Sequence, residues 1–410
     1  MFNQVEAGIP QKPAKVYVSG NQLFVAKVLK DGSQEKAKPY VIKGLTWTPA
    51  TKAPHFGPDP SSPGSETKYG FFFDWPNRTP QGHEVLVYWL RSEFISNYKK
   101  DIALMKEMNV NTVRLYTPPG NGPEEYKEVL DEFYCKDIMV IMTVAMLKDD
   151  IDAQRYLNVV KACMNHPAIL MWSLGNEWNL EYNKYWGYPS VADAARATNR
   201  VAQIIKSIDS NHPVASCLGD RFTDSDETAT IEWIVKTCNE VDVWGLNIYR
   251  GRSFGNLFFQ WSMISQKPFY LSEFGTDSFH TVQFKVVNGF QADECRGEQN
   301  QQQQAEFALG LWSEIEKHLS AIDPTQQCLG GIIHEFSDEL WKVGSFHASL
   351  GDLVDYYSSE AHAYQEYNSQ GYYLSGAHPD NIANEEYFGV VDADRVPKKA
   401  FWVLKEYYGR

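Results

Sequence analysis

From residue 92 to the C-terminus, short apolar runs alternate with stretches of helical periodicity, and this alternation constrains the fold more than any other feature. The runs are NTVRLY, IMVIMTV, AILMWSLG, PVASCLG, VDVWGLNIY, PFYLSEFG and GGIIHEF; with Val41–Trp47 ahead of them there are eight, nearly every one followed by a helix-sized segment. Parallel pairing requires a connection of that size, because the chain must cross back over the sheet before the next strand begins. Eight such units predict a (β/α)8 TIM barrel. A doubly wound open sheet is the alternative, but no Gly-rich nucleotide turn follows the first strand.

A barrel core takes about 250 residues, and the chain has 410. The expectation is one catalytic domain over 1–410. Its N-terminal extension, 1–38, carries a β-hairpin around Gly20-Asn21, and insertions fall at 48–91, 275–301 and 337–395. All three insertions follow the C-terminal end of a strand, the face on which such barrels place their chemistry, so the site should be deep and walled by long loops. The stretch TPATKAPHFGPDPSSPGSE reads as surface loop, and NQQQQ at 300–304 as a loop entering a helix.

Two of the apolar runs end in a carboxylate. HPAILMWSLGNEWN carries Glu177 at its exit, and YLSEFG carries Glu273. A central barrel strand is apolar because both faces are covered, and its exit is where a polar group can be held in a fixed position. Two acids leaving two strands at the same end are what acetal cleavage needs, one to protonate the leaving oxygen and one to attack or to activate water. An ion-paired rim residue is the plainer reading of either Glu alone; the pair, in an eightfold pattern, favours chemistry.

HPAILMWSLGNE resembles the acid/base segment of glycoside hydrolase family 2, and NTVRLY, VDVWGLNIY, LSEFG and GGIIHEFSDELW stand in the order of clan A retaining glycosidases. The tail FGVVDADRVPKKAFWVLKEYY is similar to the close of the family 2 barrel, so the resemblance runs from about 39 to 408. It implies that Glu177 is the general acid/base and Glu273 the nucleophile. It implies further that Asn176 bonds the sugar 2-hydroxyl, that Arg114 sits beside the nucleophile and that the Tyr249 phenol orients it. Tyr116 and Asn247, from the same motifs, join the substrate-binding set, as does Trp178 beside Glu177. With Trp172 and Trp178 around it and a negative charge opposite, Glu177 should start protonated, while Arg114 keeps Glu273 ionised.

Trp47 and Trp341 are candidate sugar platforms, with core packing the equal alternative. His334 stands where an aromatic platform is expected, as a hydroxyl-binding group or a satisfied rim residue. Two departures from family 2 stand out: the roughly 40 residues before strand one are expected to make a hairpin at most, with no room for the β-sandwich domains that usually precede its barrel, and LYTPPG after Arg114 lacks a His often found there. RLY, DVWGLNIY, SEFG and GGIIHEFSDE also resemble the β-1,3-glucanosyltransferases of family 72, in which an acceptor sugar replaces water. A glycan-binding barrel without catalysis is the reading from another class.

The formal net charge of −14 offers no basic field for nucleic acid or an anionic membrane, so the expected partner is a β-linked oligo- or polysaccharide. Six scattered cysteines form no CxxC pair, and no His spacing suits zinc; neither metal nor organic cofactor is expected. The longest apolar run, IMVIMTVAML, is too short to span a bilayer. The N-terminus shows no basic region followed by an apolar one, so no secretion signal is expected there, which leaves a processed exported chain and a cytoplasmic one both open.

Overall fold

The computed structural model describes residues 8–48, 55–57, 68–69, 77–78, 84–120, 122–145, 148–183, 186–286, 291–339, 362–363, 366–368 and 377–410. Eight parallel strands close into a barrel: Ile42–Thr46 (β1), Thr112–Leu115 (β2), Met139–Ala145 (β3), Ile169–Leu174 (β4), Val214–Gly219 (β5), Val243–Asn247 (β6), Phe269–Phe274 (β7) and Cys328–Ile333 (β8). Each pairs with its neighbours in chain order and β8 returns to β1, so the TIM barrel expected from the alternation is the fold.

The helices that follow the strands are Arg91–Glu107 (α1), Pro123–Cys135 (α2), Arg155–Cys163 (α3), Val191–Ile208 (α4), Ile231–Thr237 (α5), Leu257–Ile264 (α6), Gln301–Glu316 (α7) and Lys399–Tyr408 (α8). Their starts carry local signals. Pro123 opens α2, and the Ser190 hydroxyl accepts from Asp193 N at 3.1 Å to cap α4. Asn300 Oδ1 accepts from Gln303 N at 3.2 Å at the head of α7.

Strand periodicity divides the core into two. Val113, Leu115, Val140, Met142, Trp172, Leu218, Trp244 and Leu246 face outward and pack with the helices. Met139, Ile141, Met171, Ala215, Val243 and Tyr270 pack in a second cluster with Val16, Leu23, Val25 and Tyr40 from the N-terminal segment. That segment is more than the expected hairpin: Lys15–Ser19, Gln22–Ala26 and Lys38–Pro39 form a three-stranded antiparallel sheet. The first barrel strand begins after this sheet, at Ile42. Asn211 Nδ2 donates to Ala14 O at 2.7 Å and Gln22 Nε2 to Ser320 O at 2.7 Å. Asn211 and Ser320 precede β5 and β8, so the sheet closes the mouth of the barrel at the strands' N-terminal ends.

The insertions are not simply loops. Phe279–Val286 pairs antiparallel with Gln291–Gln299, which pairs with His362–Ala363 and Glu366–Asn368, and the last of these pairs with Ile382–Ala383. Parts of the second and third insertions thus share one sheet. In the first, His55–Gly57, Lys68–Tyr69 and Asn77–Arg78 each pair with Glu84–Leu90. No helix among the described residues is long and apolar enough to cross a membrane.

Candidate active site

The exit of β4 sets the position of Glu177. Gly175 has φ +69°, and a Cβ there would lie 2.5 Å from Trp178 Cδ1. Glu177 itself has φ +49°, a left-handed conformation that a non-glycine residue adopts at a cost of about 1–3 kcal/mol and that concentrates at functional sites. Its N–H donates to Cys217 O at 3.0 Å, tying the turn to β5. Glu273 reaches the barrel interior through a β-bulge: Leu246 pairs with Leu271, but Asn247 pairs with Glu273. Ser272 and Glu273 can therefore both face inward. Ser272 Oγ donates to Asn247 Oδ1 at 2.6 Å, and Arg114 Nη1 donates to Glu273 Oε1 at 2.9 Å.

One hydrogen-bonded chain joins the two acids. Asn247 Nδ2 donates to Glu177 Oε1 at 3.0 Å and to Asn176 Oδ1 at 3.1 Å. Arg114 Nη2 donates to Asn176 Oδ1 at 2.7 Å, and Nη1 reaches Ser272 O at 3.0 Å as well as Glu273. Tyr116 donates to Glu273 Oε1 at 2.6 Å and Tyr249 to Oε2 at 3.1 Å. Arg114, Tyr116, Asn176, Asn247 and Tyr249 thus all meet around the two carboxylates. Their strands place them there because each is an inward position at a C-terminal end.

The same environment pushes the two acids in opposite directions. Burial raises the Glu177 carboxyl, the negative charge of Glu273 raises it further, and the result is about 8 despite the Asn247 bond and the Arg114 charge. Burial would also raise Glu273. It is outweighed by the positive charges of His334 and Arg114 and by the bonds from Tyr116 and Arg114, which hold the carboxyl below its usual value.

His334 follows β8 and lies against this group, its Nδ1 3.0 Å from Thr46 Oγ1 and 3.2 Å from the Tyr116 oxygen. Two of the proposed tryptophans do not reach the site. Trp47 is 1% exposed, donates to the buried carboxylate of Asp101 at 3.1 Å and meets Phe133 edge-on, so no ring face is left for a sugar. Trp178 is 3% exposed and donates to Ser216 Oγ at 3.0 Å in the layer between strands and helices. Trp172, expected around Glu177 with Trp178, likewise directs its N–H outward, to Asp209 Oδ2 at 2.8 Å. Trp341 lies outside the described residues.

Several residues around the site escape a reading of strand ends alone. Tyr249 is backed by His378 (ring centroids 6.1 Å apart) and by Phe388 (6.0 Å), both from the third insertion. His378 Nδ1 in turn lies 2.9 Å from Thr276 Oγ1, just past β7. Glu335 is 2% exposed beside His334; HEF at the end of β8 repeats the strand-exit acid of NEW and SEF, which is the signal that marks it. Among the described residues no group of three or more His, Cys, Asp or Glu is placed to hold a metal ion.

Residues 94–286, which include Glu177 and Glu273, match the family model described as glycosyl hydrolases family 2, TIM barrel domain. A β-galactosidase of Vibrio cholerae serotype O1 is 34% identical over 105 residues, 23% of this chain and 10% of that protein. Among solved structures, a β-D-glucuronidase of Dictyoglomus thermophilum superposes with a TM-score of 0.51 at 17% identity, over 97% of this chain and 54% of that one. A Bacteroides uniformis β-glucuronidase does so with a TM-score of 0.54 at 17% identity, over 96% of this chain and 37% of that one. These likenesses concern the fold, and the chain spans at most 54% of the length of these relatives. The 94–286 match is borne on a closed eight-stranded barrel, so over these residues sequence and fold agree in their likeness to the TIM-barrel domain of glycosyl hydrolase family 2.

Proposed function

We propose that the chain is a retaining β-glycosidase that acts on β-linked oligo- or polysaccharides by double displacement within this one barrel, without metal or organic cofactor. The observation that carries the reading is the split between two neighbouring acids, with Glu177 raised to about 8 and Glu273 held ionised by the charges of His334 and Arg114 and by the bonds from Tyr116 and Arg114. At neutral pH one acid holds a proton and the other a charge, as the first step requires. Glu273 attacks the anomeric carbon while Glu177 protonates the departing oxygen. The bond to the leaving group breaks as the glycosyl ester forms, and Glu177, now ionised, takes a proton from the water that hydrolyses the ester.

Glu273 Oε1 accepts two bonds, at 2.9 and 2.6 Å, and Oε2 accepts one at 3.1 Å from Tyr249, so Oε2 is the oxygen better able to attack. Asn176 and Asn247, with their amides beside Glu177, are the groups placed to bind the sugar next to the scissile bond. The relatives' names, β-galactosidase and β-glucuronidase, support a β-configured glycone and guide the choice of substrates.

The test is to incubate the protein with 2-deoxy-2-fluoro-β-glycosyl donors of the gluco, galacto, manno and glucurono series and map the adduct by mass spectrometry. We expect a stable ester on Glu273, no adduct in Glu273→Gln, and β-configured first product by proton NMR. An α-configured first product, or an adduct elsewhere, sinks the reading. Transfer uses the same two carboxylates, and product analysis with excess acceptor sugar separates it from hydrolysis. Sugar binding with no turnover of any aryl β-glycoside would mark a binding module instead.

A further inference from the structure

His334 forms and breaks no bond in the two steps above, yet both its backbone and its ring are held in place. Its backbone N–H donates to Phe274 O at 2.9 Å. Gly275, at φ +141°, permits that approach, since a Cβ there would lie 2.9 Å from His334 O. The imidazole stands edge-on to Tyr116 (centroids 6.4 Å apart, 84°) and tilted on Phe388 (5.4 Å, 58°). Its neighbours with charge include, among the described residues, Glu335, whose carboxylate lies 3.9 Å from Nε2, and, through Tyr116, the Arg114–Glu273 pair from β2 and β7.

The proton positions follow from counting. Tyr116 has one proton, and its 2.6 Å contact with Glu273 Oε1 has the length of a charge-assisted O–H···O⁻ bond. An ionised carboxylate has no proton to give back. The Tyr116 oxygen therefore faces His334 Nδ1, 3.2 Å away, with lone pairs only. A bare Nδ1 could accept from the Thr46 hydroxyl but would set lone pair against lone pair at Tyr116; a proton on Nδ1 satisfies both oxygens, whether the ring is neutral or charged. That N–H is shared between the Tyr116 oxygen and Thr46 Oγ1, the latter at 3.0 Å.

We propose that His334 is a positioning residue for the nucleophile, acting through Tyr116: its Nδ1–H holds the phenol oxygen so that the phenol proton stays on Glu273 Oε1. The inference rests on Glu273 being the nucleophile. It gives the end of β8, where the sequence suggests a sugar platform, a role in aiming the attacking carboxylate. Aligned bonds of this kind reinforce one another, since a phenol that accepts an N–H becomes a better donor at its own proton. With Oε1 pinned by Arg114 and Tyr116, the carboxylate plane is set and Oε2 is presented to the sugar.

The experiment combines histidine-labelled NMR with a double-mutant cycle. In ¹⁵N-histidine protein, the imidazole signal missing from His334→Phe should show, in its neutral form, a protonated Nδ1 and a bare Nε2; the opposite tautomer overturns the proposal whether or not the protein turns over. For kinetics on an aryl β-glycoside, His334→Phe should lower kcat by roughly 10- to 100-fold with little change in KM, as misplacement of a reacting group does. His334→Asn, whose amide N–H can occupy the place of Nδ1, should recover most of the loss. Tyr116→Phe combined with His334→Phe should cost no more than Tyr116→Phe alone, because both act through one phenol proton. Additive losses, or no recovery in His334→Asn at an unchanged Tm, overturn it. The expected tautomer in a protein without turnover would count against Glu273 as nucleophile and leave the hydrogen-bond assignment standing.

Discussion

Glu177 and Glu273 begin with the same carboxyl chemistry and part company because of what each faces. Glu273 has an arginine and two phenols; Glu177 has one amide and its neighbour's charge. The sign of the pH dependence follows. Glu177 must hold its proton for the first step, so kcat/KM should fall as pH rises through about 8. Glu273 must be ionised, so the acid limb lies below the usual carboxylate range. In Glu177→Ala the alkaline limb should vanish with activated aryl glycosides, while poor leaving groups lose roughly 10²- to 10⁴-fold. Azide should restore turnover and give a β-glycosyl azide; an alkaline limb that survives in this variant, or no azide product, would mean that Glu177 is not the acid. The acids are legible in sequence because a carboxylate ending an apolar strand is a local pattern. Trp47 is not, because its role depends on which face it takes: Thr46 points inward to His334, so alternation turns Trp47 toward the helices.

Elements added to the barrel decide how firmly the site is held, and here the sequence is read less completely. Alternating apolar runs and helices give away the eight repeats, since each depends on a period visible within ten residues. The antiparallel strands Phe279–Val286 and Gln291–Gln299 are mixed in polarity, and Asn288-Gly289 between them is the hairpin signal that marks the pair. Long-range pairing with Glu366–Asn368 has no local mark at all. The glutamine run shows the same limit. Gln304, 2% exposed, donates through Nε2 to Thr276 O at 3.2 Å, Phe388 O at 3.1 Å and Gly389 O at 3.1 Å. It thereby ties α7 to the exit of β7 and to the segment that carries Phe388, which packs on both Tyr249 and His334. Gln304→Leu should remove these bonds, leaving Phe388 O its 3.3 Å bond from Glu335 N, and lower stability by about 1–3 kcal/mol. A thermal melt measures that cost. Assayed well below the melt, kcat should fall too, whereas Gln302→Leu, exposed on the same helix, should change neither.

At the scale of the whole molecule the barrel has two unlike ends. The mouth with Glu177 and Glu273 is polar and hydrogen-bonded; the opposite mouth is apolar and filled by the N-terminal sheet, where Leu23 is fully buried among residues such as Ile141, Met171 and Tyr270. Tyr270 lies between the two regions. It packs in the apolar cluster while its hydroxyl lies 3.4 Å from Cys217 Sγ, which sits under the polar layer. Stability and chemistry are therefore separable along the barrel axis, as they are in barrels generally. Leu23→Ala removes buried methyl groups from the closed end and should cost about 2–5 kcal/mol, lowering Tm by several degrees. Below the new transition, kcat and KM on an aryl β-glycoside should match the parent, because the site's hydrogen bonds are made among strand ends at the other mouth. A parallel loss of kcat in a protein still fully folded by circular dichroism would show that the sheet helps to shape the acids' surroundings and that the two ends are coupled through the Tyr270 layer.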